Sequence, residues 1–272
     1  MADPLLTRRV HDALVAARDA GAACLDCSLD LERTTTTVAI GATAWRWQDT
    51  AFPYPETCRE RTVYHWDGGS FVPVARYAQS LVKLVPTEWG PPTFEIDGIK
   101  MLPTALVSPW EDARDKVALV EPRGRTVLDT CGGLGYFAAW CLAGGAARVL
   151  SFEKNPDVLW LRSLNPWSPQ PGERLSLAVG DVVAEIAALP DASVGAILHD
   201  PPRFGIAGEL YSQAFYGQLA RVLRRGGRLF HYTGAPNRRS AGRDLAGEVT
   251  RRLERAGFAA GPRADGVLAV RR

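Results

Sequence analysis

The sequence predicts an α/β fold: a doubly wound domain over residues 105–272 that follows a small, mostly-β domain over residues 1–104. Two observations carry this. From residue 108 onward, short β-rich runs alternate regularly with amphipathic stretches, which is the grammar of a parallel sheet with crossover helices. Before that point, short alternating runs are separated by Asp-Gly turns, which is the grammar of antiparallel hairpins.

With 272 residues, 46% hydrophobic and 23% charged, the chain has material for a substantial core. It carries 32 basic and 30 acidic residues, a net +2, which argues against a nucleic-acid or membrane surface. Only Lys83, Lys100, Lys116 and Lys154 are lysines; the other basic residues are arginines. The five cysteines are scattered and odd in number, no signal peptide opens the chain, and the apolar run 136–147 is too short to span a bilayer. The expectation is a soluble, cytoplasmic protein.

Residues 5–20 read as an amphipathic helix. In CLDCSLDLE, Leu25, Cys27, Leu29 and Leu31 alternate with Asp26, Ser28, Asp30 and Glu32, the pattern of a half-buried strand. TTTTVAIGATAWRW continues in β-branched residues. Hairpins are expected around Asp67-Gly68-Gly69 and Asp97-Gly98. Trp45, Trp47, Trp66 and Trp89 lie in this unit and Trp110 follows it, either as core or as an aromatic lid over a bound cation. Cys24-x-x-Cys27 sits on a strand, so its side chains diverge, and with no second pair no metal site is expected.

Ser108, Pro109 and Glu111 open a helix with a capping box. Then RTVLDT is a strand, 134–142 a helix, RVLSFE a strand, and Asn155-Pro156 the start of a helix to Leu164. RLSLAV is a strand, a short helix begins at Val182, GAILHD is a strand, and one helix is expected over 209–224. GRLFHY is a strand, and a helix over 244–256 precedes two terminal strands.

The segment VLDTCGGLGYF joins the first strand of the alternating region to its helix, the setting a ligand-binding glycine loop requires. Asp129 precedes Cys131, Gly132, Gly133 and Gly135. Glu153 ends the second strand, where it can accept both hydroxyls of a ribose, and Lys154 follows it. Gly180-Asp181 ends the third strand, where a carboxylate can take an adenine amino group. An acid before the glycines and one after each of the next two strands resembles the pattern of class I S-adenosylmethionine (SAM) enzymes. Cys131 stands where that pattern, acid-x-Gly-x-Gly-x-Gly, has its first glycine. The bland alternative is a tight turn that packs a helix on the sheet.

LHDPPRF, at the end of the fourth strand, places His199, Asp200 and Pro201 where open α/β sheets bind ligands. It resembles the [DNS]-P-P-[YFW] motif of SAM enzymes that methylate exocyclic amines, but Arg203 takes the aromatic position and Phe204 follows. That argues against a flipped base and for a small amine that Asp200 holds or deprotonates. His199 and His231 are candidate acid–base groups or satisfied core histidines. Tyr211, Tyr216 and Tyr232 line the pocket or pack the core.

Together, DGIKMLPT, VLDTCGGLGY, EKNPDVLWLRSLNPWS, HDPPRF, GELYSQAFY and GGRLFHYTG resemble a mostly archaeal group of class I methyltransferases, also described as spermidine-synthase-like, over about residues 95–250. The resemblance implies a Rossmann-like class I methyltransferase domain, SAM as cosubstrate or sole substrate, and a small-molecule substrate, with catalysis by Asp200, His199, Tyr211 and His231. It implies cofactor contacts from Asp129, Cys131, Gly132, Gly133, Gly135, Glu153, Lys154, Gly180, Asp181, Asp200 and Pro201. A homodimer is compatible with it. Methyl transfer is the leading expectation. The alternatives are attack at the SAM γ-carbon with release of methylthioadenosine, as in aminocarboxypropyl or aminopropyl transfer or closure to azetidine-2-carboxylate, and a SAM-binding sensor without turnover.

Overall fold

A computed structural model describes residues 3–234 and 244–272. Residue contacts divide the chain into two compact units, one up to Trp110 with Trp160–Trp167, the other Glu111–Leu159 with Ser168–Arg272. This division falls six residues beyond the boundary expected at 104/105, and residues 160–167 group with the first unit.

The first unit contains β1 (Leu5–Leu6), α1 (Arg8–Asp19), β2 (Cys24–Cys27), β3 (Thr36–Ile40), β4 (Ala44–Trp47) and β5 (Thr50–Pro53). They are followed by β6 (Tyr64–Trp66), β7 (Phe71–Pro73), β8 (Ala75–Tyr77), β9 (Leu81–Val85), β10 (Thr93–Ile96) and β11 (Ile99–Lys100). These form three small antiparallel sheets, β1-β6-β7, β2-β3-β4-β5 and β11-β10-β9-β8. Both expected hairpins form. Asp67 Oδ1 accepts from the Gly69 and Ser70 N–H groups, and Asp97 and Gly98 turn with φ of 48° and 77°. Trp45 is fully buried and stacks on Phe52 at 4.7 Å, and Leu6, Leu14 and Val38 close the same core.

The strand expected through Leu31 stops at Cys27. Asp30 accepts from the Arg33 and Thr34 N–H groups and from the Ser28 and Thr34 hydroxyls, so local side-chain bonds win over the ladder. Leu29 and Leu31 are still buried, but from a turn in which Leu31 has φ of 56°.

The second unit is built on α2 (Pro109–Val120) from Glu111 onward, β12 (Thr126–Asp129), α3 (Tyr136–Ala143), β13 (Arg148–Glu153), the start of α4 (Pro156–Leu164) up to Leu159, β14 (Leu175–Val179) and α5 (Val182–Glu185). It continues with β15 (Val194–His199), α6 (Gln213–Val222), β16 (Leu223–Tyr232), α7 (Leu245–Arg255), β17 (Phe258–Arg263) and β18 (Gly266–Arg271). One seven-stranded sheet runs β14-β13-β12-β15-β16-β18-β17. Its first five strands are parallel, and β18 and β17 close it antiparallel. This is the Rossmann-like class I methyltransferase architecture. Chain order reverses between β12 and β15, the switch point at which such sheets bind ligands.

The single helix expected over 209–224 is a 3₁₀ turn at Gly208–Tyr211 followed by α6. Ser212 is extended and accepts from the Phe215 N–H, so it caps a new helix, and Leu223 returns to extended backbone. No helix among the described residues is long and apolar enough to cross a membrane.

Candidate active site

Four adjacent parallel strands deliver four carboxylates to one edge of the sheet. In spatial order, Asp181 follows β14, Glu153 ends β13, Asp129 ends β12 and Asp200 follows β15. The parallel register aligns these ends: Asp129 pairs with Ser151 and Glu153 with Val179. This geometry brings together residues as far apart in sequence as 129 and 200.

The glycine loop is tied to β13. The Gly132 N–H donates to the Phe152 carbonyl at 2.7 Å, and the Gly133 N–H to Glu153 Oε2 at 2.9 Å. Gly133 and Gly135 have φ of 47° and 83°, and Gly135 in the left-handed region begins α3. The other Glu153 oxygen accepts from the Asn155 N–H at 2.9 Å, so this carboxylate orders the loop and the start of α4. Asp181 caps α5 through the Val183 N–H and pairs with Lys154 at 2.7 Å, and these contacts pull its carboxyl below the usual range, Lys154 foremost. Val179, just before Gly180, is 66% exposed and offers an apolar face beside Asp181. Open glycine backbone, paired acids and an apolar strand end suit a nucleoside with a ribose diol.

Asp129 is 1% exposed and accepts from the Ser151 hydroxyl at 2.8 Å, so it is closed off from solvent behind the loop. Cys131 is half-buried and packs against the core of the second unit; burial, then Glu153, pushes its thiol well up.

The two histidines lie side by side, paired across β15 and β16 with ring centroids 4.4 Å apart, and both are fully buried. The Leu210 carbonyl can only accept, so His199 Nε2 donates to it at 3.1 Å and Nδ1 accepts from the Thr130 hydroxyl at 2.7 Å. By the same logic His231 Nδ1 donates to the Tyr232 carbonyl and Nε2 accepts from Tyr216, both at 2.8 Å. Burial lowers His199 to about 4 and His231 well below its ordinary value. These geometries give the histidines the place of neutral struts. The Tyr211 hydroxyl donates to the Pro202 carbonyl at 3.0 Å and fixes the Pro-Pro bend. Phe204 packs edge-on against Tyr211 at 5.3 Å, turned toward the core side of its loop.

Asp200 differs from these. Its carboxylate receives no hydrogen bond among the described residues. Burial raises it to about 7, with Lys116 opposing and Asp112, Asp265 and Asp129 adding to the rise. Lys116, from α2, is 3% exposed, 2.7 Å from Asp112, 3.3 Å from Asp265 and 4.1 Å from the centre of the Tyr232 ring. Burial alone would lower this ammonium, but Asp200, Asp112 and Asp265 hold it above the usual lysine range. Sequence reasoning missed Lys116, Asp112 and Asp265. The available signal was a rare lysine in an arginine-rich chain, one helical turn after an aspartate. Asp265 lies in the turn between the last two strands and gave no signal of its own.

No protein-family model matches the chain. A spermidine synthase solved with the transition-state analogue AdoDATO is similar in structure, with a TM-score of 0.58 and 14% identity over 73% of each chain. The spermidine synthase of Thermotoga maritima gives a TM-score of 0.55 and 14% identity, over 73% of this chain and 72% of that one. In sequence, the uncharacterized protein MJ1233 of Methanocaldococcus jannaschii is 42% identical over 213 residues, 78% of this chain and 73% of the relative. At that identity and coverage, the chain belongs to the family of MJ1233.

Proposed function

We propose that the protein is a SAM-dependent transferase that acts on an amine of a small molecule, by methyl transfer. The observation that carries this reading is the row of four strand-end carboxylates, Asp181, Glu153, Asp129 and Asp200, along the switch-point edge. Asp181 and Glu153 would receive the adenine amino group and the ribose hydroxyls, and the Gly132–Gly135 backbone would allow close approach of the rest of the molecule. When bound, SAM supplies an electrophilic carbon on a cationic sulfur. Asp200 and the Pro201 carbonyl face the amine, while the Pro202 carbonyl is engaged by Tyr211. As the amine nitrogen bonds to carbon and the carbon–sulfur bond breaks, Asp200 takes the nitrogen's proton. A carboxyl poised near 7 is suited to that exchange at neutral pH.

A second reading, attack at the γ-carbon with release of methylthioadenosine, draws support from the fold shared with spermidine synthases. Purified protein incubated with SAM, with and without candidate amines, separates the two by mass spectrometry. S-adenosylhomocysteine formed with an amine supports methyl transfer. Methylthioadenosine above the protein-free control supports γ-carbon chemistry, and an accompanying azetidine-2-carboxylate makes it intramolecular. SAM bound but never consumed across amine classes would replace both with a sensor. Asp200→Ala is expected to lower turnover by about 10²–10⁴-fold, the range of general-base catalysis, while SAM affinity is retained.

A further inference from the structure

We propose that Lys116 is a positioning residue for the transfer step: its ammonium, locked between Asp112, Asp265 and the Tyr232 ring, balances Asp200 against the surrounding carboxylates and keeps it able to accept a proton. This rests on the reading of Asp200 as the base.

The geometry is that of a fixed charge. A lysine on a helix ordinarily extends its ammonium to water, because burial of an unpaired charge costs several kcal/mol. Lys116 instead is 3% exposed, with two carboxylates at 2.7 and 3.3 Å and an aromatic face at 4.1 Å. Tyr232 and Asp200 are the neighbours of the paired His231 and His199, so the ring that supports the ammonium stands beside Asp200 at the strand ends. α2 therefore carries Lys116 to the same edge as the four carboxylates.

The charge balance there is uneven. The charges of Asp112 on α2, Asp265 in the β17–β18 turn and Asp129 on β12 all raise Asp200, and among the described residues Lys116 is the cation that opposes them. Tyr232, Tyr211 and Cys131 also neighbour it; burial raises each of them first and Asp200 adds to the rise, so they stay protonated and neutral near pH 7. Asp200 is half-buried and has no hydrogen-bond donor among the described residues, so beside water it is the field of Lys116 that favours its ionised form. Without that field Asp200 holds its proton more tightly, and an incoming amine more often meets a carboxylic acid in place of a base.

The test reads Asp200 itself. Protein labelled with ¹³C at the aspartate carboxyl is titrated by NMR, and the Asp200 resonance is assigned by its loss in Asp200→Asn. The Asp200 midpoint is expected near 7 in the wild type. It is expected to rise by about one pH unit or more in Lys116→Met, a tenfold change in proton affinity, and to return in Lys116→Arg. Asp265→Asn removes an opposing charge and is expected to move the midpoint down, which keeps the test decisive if Lys116→Met does not fold. An unchanged midpoint in Lys116→Met, or in Asp265→Asn where Lys116→Met does not fold, or a wild-type midpoint near 4, overturns the proposal. A SAM titration of the same samples is read separately. Absent binding would sink the transferase reading, while the NMR midpoints still decide whether Lys116 and Asp200 are coupled.

Discussion

Burial raises the Asp200 carboxyl to about 7, whereas the unfolded chain titrates it as an ordinary aspartate near 3.8. A carboxyl raised on folding stabilises fully below the unfolded value, and that stability is lost as pH rises through the folded one. At pH 8 the ionised Asp200 is therefore a liability, with a ceiling of about 4 kcal/mol at 1.36 kcal/mol per pH unit. Asp200→Asn is expected to be more stable than wild type at pH 8 and nearly equal to it at pH 4, measured by urea unfolding at both values. A gain that does not depend on pH would contradict the raised carboxyl. His199 has the opposite sign: a base lowered to about 4 stabilises above its unfolded value of 6.5 and loses that stability as pH falls through 4. Replacing it with Ala leaves the Leu210 carbonyl and the Thr130 hydroxyl facing a cavity, for a loss of about 2–5 kcal/mol in the same assay. The identity of His199 as a strut was not legible in LHDPPRF, because its partners Thr130 and Leu210 come from other elements.

α3 begins at a glycine in the left-handed region, and the glycine loop ahead of it is bonded to β13 by Gly132 and Gly133. Gly135→Ala is expected to cost about 1–2 kcal/mol in stability, the price of a left-handed alanine, and to weaken SAM binding by calorimetry. Unaltered affinity would place the cofactor elsewhere. α6 depends on a conventional cap: the Ser212 Oγ accepts from the Phe215 N–H, and Ser212→Ala is expected to cost about 1 kcal/mol. That cap also explains why the expected helix over 209–224 divides. Its apolar pattern, Leu210-Tyr211 then Phe215-Tyr216 and Leu219, runs through the break without a change of period, while Ser212 intervenes as an extended residue. The strand lost after Cys27 has the same origin, with Asp30 gathering local donors. Alternation and periodicity read burial well in both places, but not the side-chain bonds that interrupt regular backbone.

The parallel sheet was legible because β12 and β13 end in an acid, β14 and β15 have one just after them, and turn or cap residues follow at βαβ spacing. The glycine loop was legible because it lies between a strand and a helix. The cation at the same edge was not, since Lys116 and Asp265 are 149 residues apart and meet only when β18 returns alongside β16. Likewise, nothing in the spacing announced that Trp160–Trp167 would group with the first unit. The carboxylates on adjacent strand ends are proposed to hold SAM, and calorimetric titration with SAM decides this. One site per chain is expected, weakened about 10–100-fold by Glu153→Ala through the loss of charge-assisted bonds to the ribose and undiminished by Asp200→Asn. No heat of binding in the wild type, or equal affinity in Glu153→Ala, would contradict it.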